Sequence, residues 1–296
     1  MTTNRTKNLV LARVGRRSLH ANWLDGDVER DYDVVLVPYQ PLAPQDDLDC
    51  EVADVIPGPK WSGMRELLGT WDGWRDYDQV WMPDDDILTS PDAINRMFAT
   101  AKAVGLDLFA PALQDASYFA HFSTMQNHSF AGRWTGFVEI MMPGFSASAL
   151  DRLLPTLELT ETGWGWGLDS LWPHLLDHRD VGVIDSTPVL HTRPVGRMRD
   201  EELRRRVVAE SDRILGEHDC RQEHTTFGAF GPDDKRVELG PEAFFAELVR
   251  GWQHLVDADP RVLTWLVHFQ QQLFDWPAYP VEGTPAGGWG RLPEDV

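Results

Sequence analysis

Short apolar runs alternate with amphipathic stretches over the first 110 residues of the chain. Five of these runs predict strands, at residues 8–14, 33–39, 51–56, 78–82 and 106–111. Residues 61–74 carry apolar side chains three and four positions apart, which predicts an amphipathic helix. Ser90 and Pro91 mark the cap and the first residue of a second helix. This alternation predicts an α/β fold whose mixed, mainly parallel sheet is flanked by helices.

The pattern becomes less regular after residue 110 and helical after residue 195. Further strands are predicted at residues 135–142, 181–185 and 189–191, and further helices at residues 146–154 and 168–176. Helical spacing then predicts helices at residues 198–216, 241–256 and 261–274. The last 20 residues are rich in Pro and Gly and are expected to form a surface-bound or loose tail. We therefore expect an α/β domain at residues 1–195 and a helical C-terminal extension with its tail at residues 196–296.

Composition narrows the class of protein. The 296 residues include 27 Lys and Arg against 47 Asp and Glu, a net charge of −20, which argues against a nucleic-acid or anionic-membrane partner. The apolar share of 42% excludes general disorder. No apolar run is long enough for a membrane span, and two cysteines cannot build a disulfide framework. The N-terminus lacks the order of a secretory signal, so we expect a cytoplasmic protein.

Three consecutive carboxylates, Asp84, Asp85 and Asp86, directly follow the predicted strand at 78–82. They are expected at the carboxyl edge of the sheet, where open α/β folds bind ligands. Closely packed carboxylates repel one another, and a hard divalent cation such as Mg²⁺, Mn²⁺ or Ca²⁺ relieves that repulsion. The alternative is a solvated acidic loop whose charges are favoured by the N-terminus of the next helix.

Glycines alternate with indoles in the stretch GWGWG at 163–167. Trp164 and Trp166 can present flat aromatic faces to the apolar side of a sugar ring. Asp169, at the start of the next predicted helix, is placed to act as a general base toward a hydroxyl. The alternative is that both indoles pack in the core and that Asp169 only caps the helix.

A histidine and four cations complete the candidate chemistry. His191 ends a predicted strand, where a neutral imidazole can complete a metal site begun by distant aspartates, although a lone histidine is more often structural. Arg13, Arg16 and Arg17 belong to the end of the first strand, and Lys60 follows the third. Together at one sheet edge they can hold a diphosphate; otherwise each is an ordinary exposed cation.

Six short motifs follow one another along the chain. They are VGRRSLHANW at 14–23, GPKW at 58–61, WMPDDDI at 81–87, FVEIMMPGFS at 137–146, GWGWGLD at 163–169 and VLHTRPVG at 189–196. This series resembles a plant and bacterial family long catalogued as a domain of unknown function and regarded as glycosyltransferase-like. The resemblance covers roughly residues 8–200. An aspartate cluster, a later G-W-G-x-[DE] loop and a following histidine also resemble metal-dependent, inverting glycosyltransferases of the GT-A fold.

The resemblance implies a GT-A-like, Rossmann-like fold and an enzyme that moves a sugar from a nucleotide-sugar donor to a hydroxyl acceptor, either a glycan or a small molecule. Asp84 and Asp86 match the D-x-D pair that binds Mn²⁺ or Mg²⁺ around the donor diphosphate. Asp85, between them, becomes a contact to sugar or ribose. His191 matches the third metal ligand by its order in the chain.

Asp169 matches the acid that deprotonates the acceptor in this pattern, although Ser170 stands where a second acid is usual. Glu139, on the predicted strand at 135–142, is the second candidate for base or acceptor contact. Arg13 or Lys60 would lie near the phosphate or base of the donor.

The indoles Trp164 and Trp166 would line the acceptor groove. Two other functions fit parts of the pattern. One is a carbohydrate- or nucleotide-sugar-binding protein without turnover, and the other is a metal-dependent phosphoesterase, which leaves the glycine–tryptophan loop without a use.

Overall fold

The computed structural model describes residues 8–43, 48–195, 198 and 200–264 of the chain. Its strands are β1 (Asn8–Val14), β2 (Tyr32–Pro38), β3 (Glu51–Val52), β4 (Gln79–Trp81), β5 (Ile87–Leu88), β6 (Leu108–Leu113), β7 (Gly132–Thr135), β8 (Gly144–Ser146), β9 (Val181–His191) and β10 (Thr226–Phe230). Its α-helices are α1 (Lys60–Thr70), α2 (Pro91–Val104), α3 (Ala147–Leu153), α4 (Leu168–Leu175), α5 (Glu201–Glu217), α6 (Pro241–Gly251) and α7 (Gln253–Ala258).

The strands join in the order β10-β7-β9-β6-β8-β4-β1-β2-β3, and β5 pairs with the end of β9. One parallel group is β3-β2-β1-β4 and another is β6-β9. Strand β8 lies antiparallel between the two groups, so both groups point the same way. Every residue of β1 is buried, because helices cover both faces of the sheet. The predicted mixed, mainly parallel, Rossmann-like sheet flanked by helices is confirmed.

Helix α2 shows how the local sequence sets an element. The Ser90 side chain accepts a hydrogen bond from the Ala93 amide, and Pro91 occupies the first turn, where its missing N–H is not needed. Gly105 ends the helix in the left-handed region, at φ +78°. In the described part of the chain, no helix combines the length and apolarity required to cross a bilayer.

The strand predicted at residues 135–142 is wrong. Regular structure ends with β7 at Thr135, and the following apolar segment, residues 136–143, crosses the carboxyl edge of the sheet as a loop. Its backbone bonds run outside any ladder: the Met82 amide donates to Pro143 and the Asp84 amide to Met141, each at 2.8 Å. The run is apolar because this loop is buried, and a buried loop has the same apolar pattern as a buried strand.

The C-terminal extension is not entirely helical. Helix α5 forms as predicted, and the single helix predicted at 241–256 is divided at Trp252 into α6 and α7. Thr226–Phe230 forms β10, which pairs antiparallel with β7 at the edge of the main sheet. The prediction of a helical extension missed this strand because the short run TFGAF carries a glycine at its centre. The division at residue 195 stays a prediction. The described residues end at 264, so most of the predicted helix at 261–274 and the whole tail lie outside them.

A buried ion pair joins two strands of the sheet and lies against Trp252, the residue between α6 and α7. Arg133 on β7 and Asp185 on β9 are 1% and 0% exposed, with Nε 2.8 Å from Oδ2 and Nη2 3.0 Å from Oδ1. The guanidinium also donates to the carbonyls of Ser123 and Met125, both at 3.0 Å, and lies 5.0 Å from the Trp252 ring centroid. Both charges are thus compensated inside the core.

We expect Asp185→Ala to lower the free energy of unfolding by about 3–5 kcal/mol, because it leaves the Arg133 charge buried without its carboxylate. Urea unfolding followed by circular dichroism measures the loss. Asp212→Ala, at an exposed position of α5, is the control and should change stability by about 0.5 kcal/mol or less. A loss below about 1 kcal/mol for Asp185→Ala would contradict the role assigned to the pair.

Candidate active site at the carboxyl edge of the sheet

A cleft of about 420 Å³ opens at the carboxyl edge of the sheet. Nine of the twelve candidate residues line it: Arg13, Lys60, Asp84, Asp85, Asp86, Glu139, Trp164, Trp166 and His191. Arg16 and Arg17 do not, and neither does the buried Asp169, whose carboxylate lies within 4.8 Å of that of Glu139. The structure thus brings the predicted residues together in one region, and their functional roles stay predictions.

Lys60, the first residue of α1, is enclosed by oxygen atoms. Its Nζ lies 2.8 Å from Asp84 Oδ1 and donates to the carbonyls of Met82, Ile140 and Met141 at 2.8, 2.9 and 2.7 Å. Burial lowers the pKa of Lys60, and the neighbouring carboxylates oppose that shift. The ammonium thus ties helix α1 to the end of β4 and to the loop at 136–143.

Asp86 and His191, which are more than 100 residues apart in the chain, meet where β5 pairs with β9. His191 Nδ1 lies 2.6 Å from the Tyr118 carbonyl, to which it donates, so Nε2 faces Asp86 Oδ2 at 3.3 Å. Asp86 Oδ1 is buried and has no hydrogen-bond partner. Burial lowers the pKa of His191, but the bond to Asp86, the Asp86 charge and the Tyr118 carbonyl outweigh it and raise the pKa overall.

An unpartnered carboxylate oxygen beside an imidazole nitrogen is a donor set that fits a divalent cation. The predicted third ligand, Asp84, lines the same cleft but binds Lys60 through Oδ1. Among the described residues, the groups of three potential ligands whose atoms lie within 4.8 Å of one another do not include Asp84, Asp86 and His191 together. The residues present therefore offer two ligands directly, and Asp84 neutralises Lys60.

The middle aspartate of the cluster is fully engaged by protein donors. Asp85 Oδ2 accepts from the Gly15 amide at 2.8 Å and from the Tyr39 hydroxyl at 3.0 Å. Asp85 Oδ1 accepts from Arg193 Nη1 at 2.9 Å. The carboxylate thus connects the turns that follow β1, β2 and β9. This contact set points to loop positioning, and the predicted role of Asp85 as a sugar or ribose contact stays a prediction.

The arginines near β1 differ in their surroundings. Arg13 is buried, and its guanidinium donates to backbone carbonyls, with Nη2 2.5 Å from Ile56 O and 3.0 Å from Gly58 O. Burial lowers its pKa. Arg16 and Arg17 are exposed. Arg13 therefore braces the segment before α1, and its predicted contact with the donor stays a prediction.

Three glycines shape the glycine–tryptophan loop. Gly163, Gly165 and Gly167 have φ values of +75°, +77° and +95°, a region that other residues rarely adopt. At Gly165 a Cβ atom would lie 2.2 Å from Cδ1 of Trp61, so a side chain has no room there. Trp164 consequently projects from the loop, 37% exposed, on the wall of the cleft.

Glu210 on α5 holds this loop from behind. Its carboxylate accepts from the Thr160 hydroxyl at 2.9 Å, and from the Thr162 hydroxyl and amide at 2.7 and 2.8 Å. Thr160 Oγ1 in turn accepts from the amides of Gly163 and Gly165 at 3.1 and 3.2 Å. Sequence analysis missed Glu210. The signal was its place on the buried face of α5, between Val207 and Ile214, where a glutamate needs partners.

Two buried acids and a partly buried histidine form a group at the wall of the cleft. His121 Nε2 lies 3.6 Å from Glu139 Oε2, and Asp169 completes the cluster. Burial raises the pKa of Glu139 to about 8, assisted by the charges of Asp169 and Asp84. Burial also raises the pKa of Asp169 to about 7, against hydrogen bonds from Ser170, and lowers that of His121 to about 4. His121 was missed because no motif surrounds it.

We expect Glu139→Gln to become more stable relative to the wild type as pH rises from about 5 to about 8. The folded state binds the Glu139 proton more tightly than the unfolded chain, whose pKa is near 4.5, so the free energy of unfolding falls over that range. Glutamine removes this loss. Thermal unfolding at several pH values measures it, with the exposed Glu242→Gln as control. A difference in Tm that stays constant with pH would refute the raised pKa.

No protein-family model matches the chain, and no curated protein matches it. Solved structures of S. aureus TarS resemble this chain, with low TM-scores and low sequence identity. The 1–349 fragment has a TM-score of 0.46 at 11% identity, covering 90% of this chain and 89% of that chain. Its complex with UDP-GlcNAc has a TM-score of 0.45 at 12% identity, covering 71% of each. A longer TarS chain has a TM-score of 0.46 at 13% identity; the match covers 71% of this chain and only 42% of that one. Likenesses at this level carry no argument about the chemistry of this chain, which depends on the side chains of its own cleft.

Proposed function

We propose that the protein is a metal-dependent glycosyltransferase, which moves a sugar from a nucleotide-sugar donor to a hydroxyl acceptor by a single, inverting displacement. The observation that carries the proposal is the meeting of Asp86 and His191 beside a wall of two indoles in one cleft. Asp86 Oδ1 is buried there without a partner, which favours a cation as part of the working site. The cleft volume suits a ligand of nucleotide-sugar size.

Asp86 and His191 Nε2 are the residues that would hold Mn²⁺ or Mg²⁺. When bound, such an ion supplies Lewis-acid stabilisation of the charge on a departing diphosphate. Because His191 Nδ1 donates to the Tyr118 carbonyl, the lone pair of the neutral imidazole lies on Nε2, the nitrogen that faces Asp86. Lys60 and Asp84 compensate each other's charge on the same wall, so Asp84 adds no uncompensated negative charge there.

The indole side of the cleft suits a sugar. Trp164 and Trp166 both line it, and the loop that carries them is held by its left-handed glycines and by Glu210. A loop positioned in this way can present a flat face without losing much conformational freedom on binding. We therefore place the transferred sugar or its acceptor against these indoles and the nucleotide toward the turns after β1 and β2.

Glu139 is the better candidate for the group that accepts the proton of the acceptor hydroxyl. It lines the cleft, whereas Asp169, which the resemblance implied, lies behind it. A carboxylate with a pKa raised to about 8 is a stronger base once deprotonated, and Asp169 within 4.8 Å can share its proton. The proposed base is therefore Glu139, at the wall of the cleft, in place of Asp169.

The raised pKa of Glu139 also favours one alternative. A carboxyl group that keeps its proton at neutral pH cannot act as a base, so a nucleotide-sugar-binding protein without turnover fits the same cleft. The two functions share donor binding and differ only in release of the nucleoside diphosphate.

We expect Asp86→Ala to abolish Mn²⁺-dependent binding of nucleoside diphosphates, because it removes the oxygen atoms that would hold the ion. Isothermal titration calorimetry with a panel of nucleoside diphosphates, with and without Mn²⁺, measures this. Asp92→Ala, in the first turn of α2 and outside the cleft, is the control and should bind as the wild type does. Unchanged binding by Asp86→Ala would sink the proposed metal site.

We expect Glu139→Gln to keep donor binding and to lose about 10²–10⁴-fold in turnover, because it removes the base and leaves the rest of the cleft intact. Asp169→Asn should lose less, since that carboxylate does not face the cleft. Release of nucleoside diphosphate from a panel of nucleotide sugars and acceptors is the measurement. A larger loss for Asp169→Asn would return the base to that residue. No release by the wild type, despite saturable donor binding, would establish the binding protein instead.

A further inference from the structure

A second cluster of metal-binding side chains lies outside the cleft. Asp115 follows β6, His128 precedes β7, and His254 belongs to α7. Each offers one ligand atom, and the three atoms all lie within 4.8 Å of one another. None of the three lines the cleft, so the proposed glycosyltransferase chemistry makes no use of them.

The two imidazoles lie face to face, so at least one ring rotates before both can bind one ion. The rings of His128 and His254 stack with centroids 3.9 Å apart and planes 6° from parallel. His254 Nε2 lies 2.9 Å from Asp115 Oδ1. Two imidazole nitrogens and one carboxylate oxygen are a borderline donor set, which suits Zn²⁺ better than Mg²⁺ or Ca²⁺ and leaves a coordination position open to water.

The backbone on both sides of the cluster is already positioned. The His128 amide donates to the Gly251 carbonyl at 3.0 Å, which ties its segment to the end of α6, directly before α7. The preceding Asn127 donates its amide to Asp185 Oδ1 at 2.8 Å and its side chain to the Leu248 carbonyl at 3.0 Å. The ligands therefore need only side-chain adjustment, and an ion binds without ordering a loop.

We propose that Asp115, His128 and His254 form a surface site for a transition-metal ion of the Zn²⁺ class. The bound ion joins α7 to the turn after β6 and the segment before β7, which lie more than 120 residues earlier in the chain. The ion stabilises the attachment of the C-terminal helices to the sheet, because it binds the three residues only when folding has brought them together. The proposal is independent of the proposed function of the cleft.

The test is Zn²⁺ and Co²⁺ titration of the full chain after treatment with a chelator. Calorimetry should show Zn²⁺ binding, and Co²⁺ should give visible d–d bands. Zn²⁺ at about a hundredfold excess over Kd should raise Tm by on the order of 5 °C. Loss of a group that merely orients a ligand costs about 10–100-fold in affinity, so His254→Gln should weaken binding at least about tenfold and remove the rise in Tm.

The variant Asp86→Ala lacks a proposed metal ligand of the cleft and should still bind Zn²⁺ at Asp115, His128 and His254. It therefore distinguishes binding at this surface site from binding in the cleft. His254→Gln and Asp115→Ala should match the wild type in Tm and circular dichroism when a chelator is present, which shows that they fold. Should His254→Gln lower Tm without metal, Asp115→Ala, at an exposed position, decides the question. Binding that survives both substitutions, disappears in Asp86→Ala, or is absent from the wild type overturns the proposal.

Discussion

A lysine ammonium withdrawn from water needs an acceptor for each of its protons, and the way Lys60 meets this requirement organises the cleft. Its acceptors are the Asp84 carboxylate and carbonyls of Met82, Ile140 and Met141, so one charge holds a helix start, a strand end and a crossing loop together. That loop carries Glu139 into the cleft. The same contact occupies Asp84 and leaves Asp86 and His191 as the pair with free ligand capacity.

The C-terminal part of the chain contributes to this arrangement from outside the motifs. Glu210 holds the loop that presents Trp164, and Trp252 covers the guanidinium of Arg133 in the core. Strand β10 extends the sheet beyond β7. The extension thus supports the cleft as well as the sheet, although it carries little of the family resemblance.

Fold prediction from sequence succeeded where one physical cause produces the pattern. Continuous apolar runs gave β1 and β2, because both faces of a parallel sheet are buried, and the Ser90-Pro91 cap gave α2. It failed at residues 135–142, where a buried crossing loop is as apolar as a strand.

The roles of the predicted site residues stay predictions, but their common location has a physical cause. The carboxylates and indoles of the local motifs line one cleft because the carboxyl ends of parallel strands share one edge. The motifs could not show that Asp85 is occupied by three protein donors, nor find Glu210 and His121, since those partnerships are tertiary. In a polypeptide made from its N-terminus, the motifs emerge long before α5 and β10. The edge of β7 and the back of the tryptophan loop consequently lack these partners until about 230 residues have left the ribosome, so the sheet edge and this loop are completed late in synthesis.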